Sequence, residues 1–156
     1  MPITAADVMS SPAITVAPQA SVAEIAGLLA EKHISAVPVC APDGTLVGLV
    51  SEGDVLKPFR ESIRRKRDWW LGVLAEGEDL PQEFLEYIRR DTRSAVDIMA
   101  RQVVTAAATA TLPELAELMV SRGVKRIPII RDGRVVGIVS RSDLVAALAR
   151  APAMLV

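Results

Sequence analysis

Gly48-Leu49-Val50-Ser51-Glu52-Gly53-Asp54 returns as Gly137-Ile138-Val139-Ser140-Arg141-Ser142-Asp143, 89 positions further along the chain. The correspondence continues outward from this pair. Asp43-Gly44 meets Asp132-Gly133 at the same offset, and upstream of a one-residue deletion the offset becomes 90. There Thr4-Ala5-Ala6-Asp7-Val8-Met9 meets Ser94-Ala95-Val96-Asp97-Ile98-Met99. Thr15, Glu24, Leu28 and Pro38 likewise meet Thr105, Glu114, Leu118 and Pro128. A repeat this long marks two copies of one supersecondary unit, so a site made by one copy is expected in the other.

Within each copy the local signals run in one order. Ser21-Val22-Ala23-Glu24 and Thr111-Leu112-Pro113-Glu114 are capping boxes, and each opens a helix. Val22, Ile25, Ala26, Leu28 and Leu29 form an apolar face in the first, matched by Leu112, Leu115, Leu118 and Met119 in the second. Pro113 falls in the first turn, where its missing N–H costs nothing. A short β-branched stretch precedes each helix, Ala13-Ile14-Thr15-Val16 or Val103-Val104-Thr105. A strand follows each, Val37-Pro38-Val39 or Ile127-Pro128-Ile129-Ile130, and its proline suggests an edge strand or an irregular start. The Asp-Gly pairs are hairpin turns. The returning strands, 46–50 and 135–139, run into Ser-x-x-Asp and a further helix. Each copy reads β-α-β-β-α, and two such units bury their apolar faces only against each other. The expected fold is α/β (α+β), with repeat 1 over residues 4–56 and repeat 2 over 94–149.

The linker, 57–93, belongs to neither copy. Phe59, Ile63, Trp70 and Leu74 recur at helical spacing opposite Arg64, Arg65 and Arg67, which predicts one amphipathic helix from 54 to about 75. Pro81 begins a second helix with Leu80, Phe84 and Ile88 on one side. Trp69, Tyr87 and the remaining aromatic residues also lie in this linker.

With 156 residues and 51% hydrophobic content, the chain can bury a real core as one compact domain. A net charge of −1 argues against a global affinity for nucleic acid or anionic membrane. One cysteine, Cys40, cannot form an internal disulfide, which fits a reducing cytoplasm, and its apolar strand reads as packing rather than nucleophilic chemistry. With no apolar run long enough to span a bilayer and no signal-peptide pattern at the start, a soluble cytoplasmic protein is expected. Catalysis by familiar routes finds little support. His33 is the only histidine and reads as a helix cap, one His and one Cys build no metal site, and no phosphate-binding glycine loop occurs.

Chemistry therefore rests on the duplicated Gly-x-x-Ser-x-x-Asp. Ser-x-x-Asp is itself a variant capping box. The same geometry offers a strand leading into a helix N-terminus, where free N–H groups and the dipole favour an anion. A serine hydroxyl joins them, and an aspartate one turn on can accept both hydrogens of a ribose diol. Glycine three residues before the serine leaves room for a close ligand.

The order Asp-Val-Met, Thr-x-x-Pro, apolar-Pro-apolar, Asp-Gly and Gly-apolar-apolar-Ser-x-x-Asp, given twice, resembles the cystathionine-β-synthase (CBS) domain in its tandem form, the Bateman module. The linker resembles that of stand-alone bacterial two-CBS proteins. The resemblance implies two copies packed through their sheets about a pseudo-twofold. It also implies two clefts for adenosine-containing ligands such as AMP, ADP, ATP or NAD, and a regulatory role in signal transduction without catalysis, metal or required cofactor. Carried over by position, Asp54 and Asp143 would hold ribose hydroxyls and Ser51 and Ser140 would contact phosphate. Thr15 and Thr105, with the backbone near Ala36 and Arg126, would line the adenine pocket. Basic residues before the Ile-Pro strand contact phosphate in that family. This chain has Lys125-Arg126 there in repeat 2 but Ser35-Ala36 in repeat 1, and Arg141 faces Glu52 across the repeat. Unequal clefts are therefore expected, one of them tighter and favouring phosphorylated ligands.

Arg60, Arg64, Arg65, Lys66 and Arg67 read as the wet face of the linker helix rather than a nucleic-acid site. The linker aromatics point to a homodimer. Two other classes compete with the sensor: a structural dimerisation module with vestigial clefts, and an enzyme, for which no nucleophile–base pair is found.

Overall fold

The computed structural model describes residues 2–57 and 92–150. In chain order, repeat 1 consists of α1 (Ala5–Val8), α2 (Val22–Lys32), β1 (Ala36–Cys40), β2 (Leu46–Ser51) and a helix α3 over residues 52–57. Repeat 2 consists of α4 (Ala95–Ile98), β3 (Ala106–Ala107), α5 (Leu112–Arg122), β4 (Arg126–Arg131), β5 (Arg134–Ser140) and α6 (Arg141–Arg150). The linker helices, with Phe59, Trp69, Trp70, Phe84 and Tyr87, lie outside the described residues.

Both capping boxes form. Ser21 Oγ accepts from the Glu24 N–H at 3.0 Å, and the Thr111 N–H donates to Glu114 Oε2 at 2.9 Å. The helices end alike, with His33 (φ 53°) and Gly123 (φ 63°) in the left-handed conformation, their N–H groups bonded to the carbonyls of Leu29 and Met119. Thus His33 is a cap, as expected, although glycine suits that position better.

Each repeat has one antiparallel hairpin, β1–β2 or β4–β5. Asp132 (φ 52°) and Gly133 (φ 76°) form the two-residue turn closing β4 onto β5. The one-residue offset change lies here: five residues separate the paired Cys40 and Leu46, whereas four separate Ile130 and Val135.

The proline strands are not edges. β4 is the middle strand of β3-β4-β5, and β1 lies between β2 and a parallel bridge from Val16 to Val39. Val16 N–H donates to the Pro38 carbonyl at 3.0 Å and Cys40 N–H to the Val16 carbonyl at 2.9 Å. The N–H that Pro38 lacks would face this same short pairing, which needs only its carbonyl, so the missing donor is harmless. The strand expected over 103–105 falls instead at Ala106–Ala107.

The repeats exchange their leading segments. Ala5 packs in the core of repeat 2 with Leu112, Leu115, Ile127, Ile129 and Val139. Ala95 and Met99 pack in the core of repeat 1 with Val22, Ile25, Val37, Val39 and Val50. Backbone bonds fix the exchange: Ser10 pairs with Ile138 in both directions (2.9 and 3.2 Å), and Leu49 with Ala100 (3.0 and 2.9 Å). Gly48 and Gly137 permit this approach. A Cβ on Gly48 would collide with the Met99 side chain and stand 2.8 Å from the Ala100 carbonyl, and one on Gly137 would meet Met9 and the Ser10 carbonyl in the same way. This corrects the sequence expectation: the glycine before Ser-x-x-Asp makes room for the other repeat, not for a ligand.

Candidate functional site

One cleft, of about 970 Å³, lies between the repeats. Repeat 1 contributes Pro12 and Ile14 from its leading segment, Ala26, Gly27 and Ala30 from α2, His33-Ile34-Ser35-Ala36 from the turn into β1, and Glu52, Val55 and Leu56 from α3. Repeat 2 contributes Arg126 from β4, Ile138 and Ser140 from β5, and Ser142 and Asp143 from α6. The site is composite: the aspartate of one repeat faces the helix and first strand of the other.

At the polar end, Asp143 Oδ2 accepts the Ser140 N–H at 2.8 Å, and Ser140 Oγ accepts the Asp143 N–H at 3.2 Å. Ser51 and Asp54 repeat this box at 2.8 and 3.3 Å. The capping role of Ser-x-x-Asp is therefore real in both copies. It uses only Oδ2 of each carboxylate, so an adjacent ligand can still be accepted at the other oxygen.

Arg126 crosses between the repeats. Its Nε donates to Ser35 Oγ at 2.6 Å. Burial pushes its guanidinium below the usual range; Glu52 and Asp54 oppose that shift and Arg141 adds to it. Glu52 is placed by its own N–H, which donates to the Ser35 carbonyl at 2.9 Å, and Arg141 N–H donates to the Lys125 carbonyl at 3.0 Å in the mirrored position.

Of the residues singled out from sequence, the cleft brings together Ala36, Arg126, Ser140 and Asp143. Ser51, Asp54, Thr15, Thr105, Lys125 and Arg141 are not among its lining residues. Thr15, Thr105 and Lys125 are exposed. Ile14 reaches the cleft where Thr15 does not, and Arg126 where Lys125 does not, because neighbouring side chains of an extended segment face opposite ways. Pro12, His33, Glu52 and Ser142 were not assigned to the site from sequence. Glu52 and Ser142 stand inside the Ser-x-x-Asp motif, so the motif pointed at them without giving them a role.

Burial pushes the Cys40 thiol up, which leaves it poorly nucleophilic. Among the described residues, no group of three or more His, Cys, Asp or Glu is placed to hold a metal ion, and no helix is long and apolar enough to cross a membrane.

Reciprocal exchange, two hairpins and a cleft shared between copies define a tandem module of two intertwined repeats. The CBS domain family model matches residues 5–61 and 95–150, and the chain belongs to that family. It is 33% identical over 154 residues to the uncharacterised protein MJ1426 of Methanocaldococcus jannaschii, covering 91% of this chain and 89% of that one. The CBS domain pair of MJ0100, in complex with 5′-methylthioadenosine and S-adenosyl-L-methionine, superposes with a TM-score of 0.71 at 24% identity, covering 96% of this chain and 98% of the other. CBSX2 of Arabidopsis thaliana, in complex with AMP, gives 0.71 at 23% identity with the same coverage.

Proposed function

We propose that the chain is a regulatory module that holds an adenosine-containing ligand in the Asp143 cleft, transmits a conformational change to a partner, and catalyses nothing itself. One observation carries this reading: Asp143, at the start of α6, shares a cleft with Arg126 and with an apolar wall of Ile14, Ala26, Gly27 and Ile34 from the other repeat. A ribose diol suits the carboxylate, a purine suits the wall, and a 5′ substituent suits Arg126. AMP, ADP, ATP, NAD and S-adenosyl compounds all carry the required nucleoside. Support also comes from MJ0100 and CBSX2, whose bound ligands share it. Because the cleft spans both repeats, a ligand there would bias how they sit together, which is what a sensor needs.

Thermal shift against these compounds tests the proposal. A ligand at 100 times its Kd adds about 2.7 kcal/mol, or about 5–10 °C for a chain of this size. A flat panel favours the structural dimerisation module instead. That second reading has its own observation: Val120 (84% exposed), Val145 (64%) and Leu148 lie exposed on α5 and α6, which pack against each other. A homodimer through this face is compatible with either reading.

A further inference from the structure

The Asp143 cleft is unevenly charged, and one side chain accounts for it. Among the described residues that line it, Arg126 is the only Lys or Arg, whereas Glu52 and Asp143 are both acidic. Asp143 is committed to the helix cap and, in the proposed function on which this inference rests, to ribose. Arg126 is therefore the Lys or Arg of the described lining left for a 5′ substituent; its Nε already donates to Ser35 Oγ and the Glu52 charge acts on it. Glu52 and Arg126 meet at the same residue, the Glu52 N–H at the Ser35 carbonyl and the Arg126 Nε at its hydroxyl.

We propose that Glu52 is a specificity-determining residue that restricts this cleft to adenosine ligands carrying no more than one phosphate. A single phosphate can be balanced by the one positive charge of Arg126. Each further phosphate finds no second Lys or Arg among the described lining residues and adds repulsion from the Glu52 carboxylate at the same end of the cleft. Glutamate is not required here by the fold. Repeat 2 places Arg141 at the equivalent position, with the same backbone bond to the preceding strand. Both side chains are exposed, so exchanging them leaves the core intact. Lys125, the basic residue just before Arg126, is not among the residues lining this cleft.

The test is calorimetry of the full chain at pH 8 with adenosine, AMP and ATP free of magnesium. Binding at this cleft is the component lost in Asp143→Ala. The wild type should bind adenosine and AMP there at least about 10-fold more tightly than ATP. Glu52→Gln should raise ATP affinity about 10-fold while moving adenosine less than about 2-fold, and Glu52→Arg should raise it further. Melting curves of both variants establish that they are folded. Tighter ATP than adenosine in the wild type at this component, or an ATP-to-adenosine ratio unchanged in Glu52→Gln, overturns the proposal and leaves the adenosine-binding reading standing. If no adenosine compound binds, or if binding survives Asp143→Ala unaltered, the reading and the proposal fall together.

Discussion

Asp143 closes the first turn of α6 through Oδ2, and the proposed ligand contact is an addition to that cap rather than a substitute for it. The two roles separate by experiment. Asp143→Ala should weaken ligand binding about 10- to 100-fold, the cost of a charged hydrogen bond. Loss of the cap should also lower stability by about 0.5–2 kcal/mol. Asp54→Ala should cost stability on the same scale with a smaller effect at the Asp143 cleft, because Asp54 is not among its lining residues. Equal affinity in wild type and Asp143→Ala, measured by calorimetry, would leave only the cap. Asp97 supplies a pH-dependent effect. The Ser94 N–H bonded to its carboxyl holds it below the usual carboxylate range, helped by the Ser94 hydroxyl and by Arg93 and Arg101. A carboxyl depressed in the folded state contributes stability above its unfolded pKa, near 3.9, and loses it as pH falls through the lower folded value. Asp97→Asn should therefore melt below the wild type at pH 6, and the gap should close as melts are taken down to pH 2.

At the scale of elements, helices and hairpins were legible because their signals are local. Ser21 to Glu24, Thr111 to Glu114 and the Asp132-Gly133 turn each span only a few residues, and each forms as read. The strand order was less legible, since proline marks a missing donor without saying which side of the strand it faces. Clefts between the repeats, with Ala36, Arg126, Ser140 and Asp143, came only from the family resemblance: nothing local ties Asp143 to Ile34 or Gly48 to Met99, and repetition alone does not say that the copies trade their leading segments. The glycines test this distinction. Gly48→Ala should destabilise by about 1–3 kcal/mol through forced overpacking, and Met99→Ala should restore only part of that loss, because the Ala100 carbonyl also stands in the way. Gly27 lies within α2 with nothing within 4 Å of an added Cβ. Gly27→Ala should accordingly stabilise by about 0.5–1 kcal/mol. Urea unfolding of the three variants decides both outcomes, and a stabilised Gly48→Ala would contradict the close approach of the repeats.

For the whole molecule, the exchanged segments predict that neither repeat is a stable monomer. The core of repeat 1 needs Ala95 and Met99, and that of repeat 2 needs Ala5. Residues 1–57 and 92–150 expressed separately should be unfolded or self-paired, and mixing them should restore helical circular dichroism and a cooperative melt. A folded monomer of either fragment on gel filtration would contradict the exchange. The intact chain should run as a homodimer at micromolar concentration, and light scattering that reports only 16.7 kDa would exclude it.

The reciprocal fit of the repeats also bears on what the chain could become. A single repeat that met a copy of itself in this way would present one set of residues on both sides of the contact, and any substitution would alter the two together. Joined in one polypeptide, the copies are free to diverge separately. Position 52 is acidic and its partner, 141, is basic; Ser35 and Ala36 stand opposite Lys125 and Arg126. The covalent link thereby lets two copies of one inherited surface carry different side chains at matching positions.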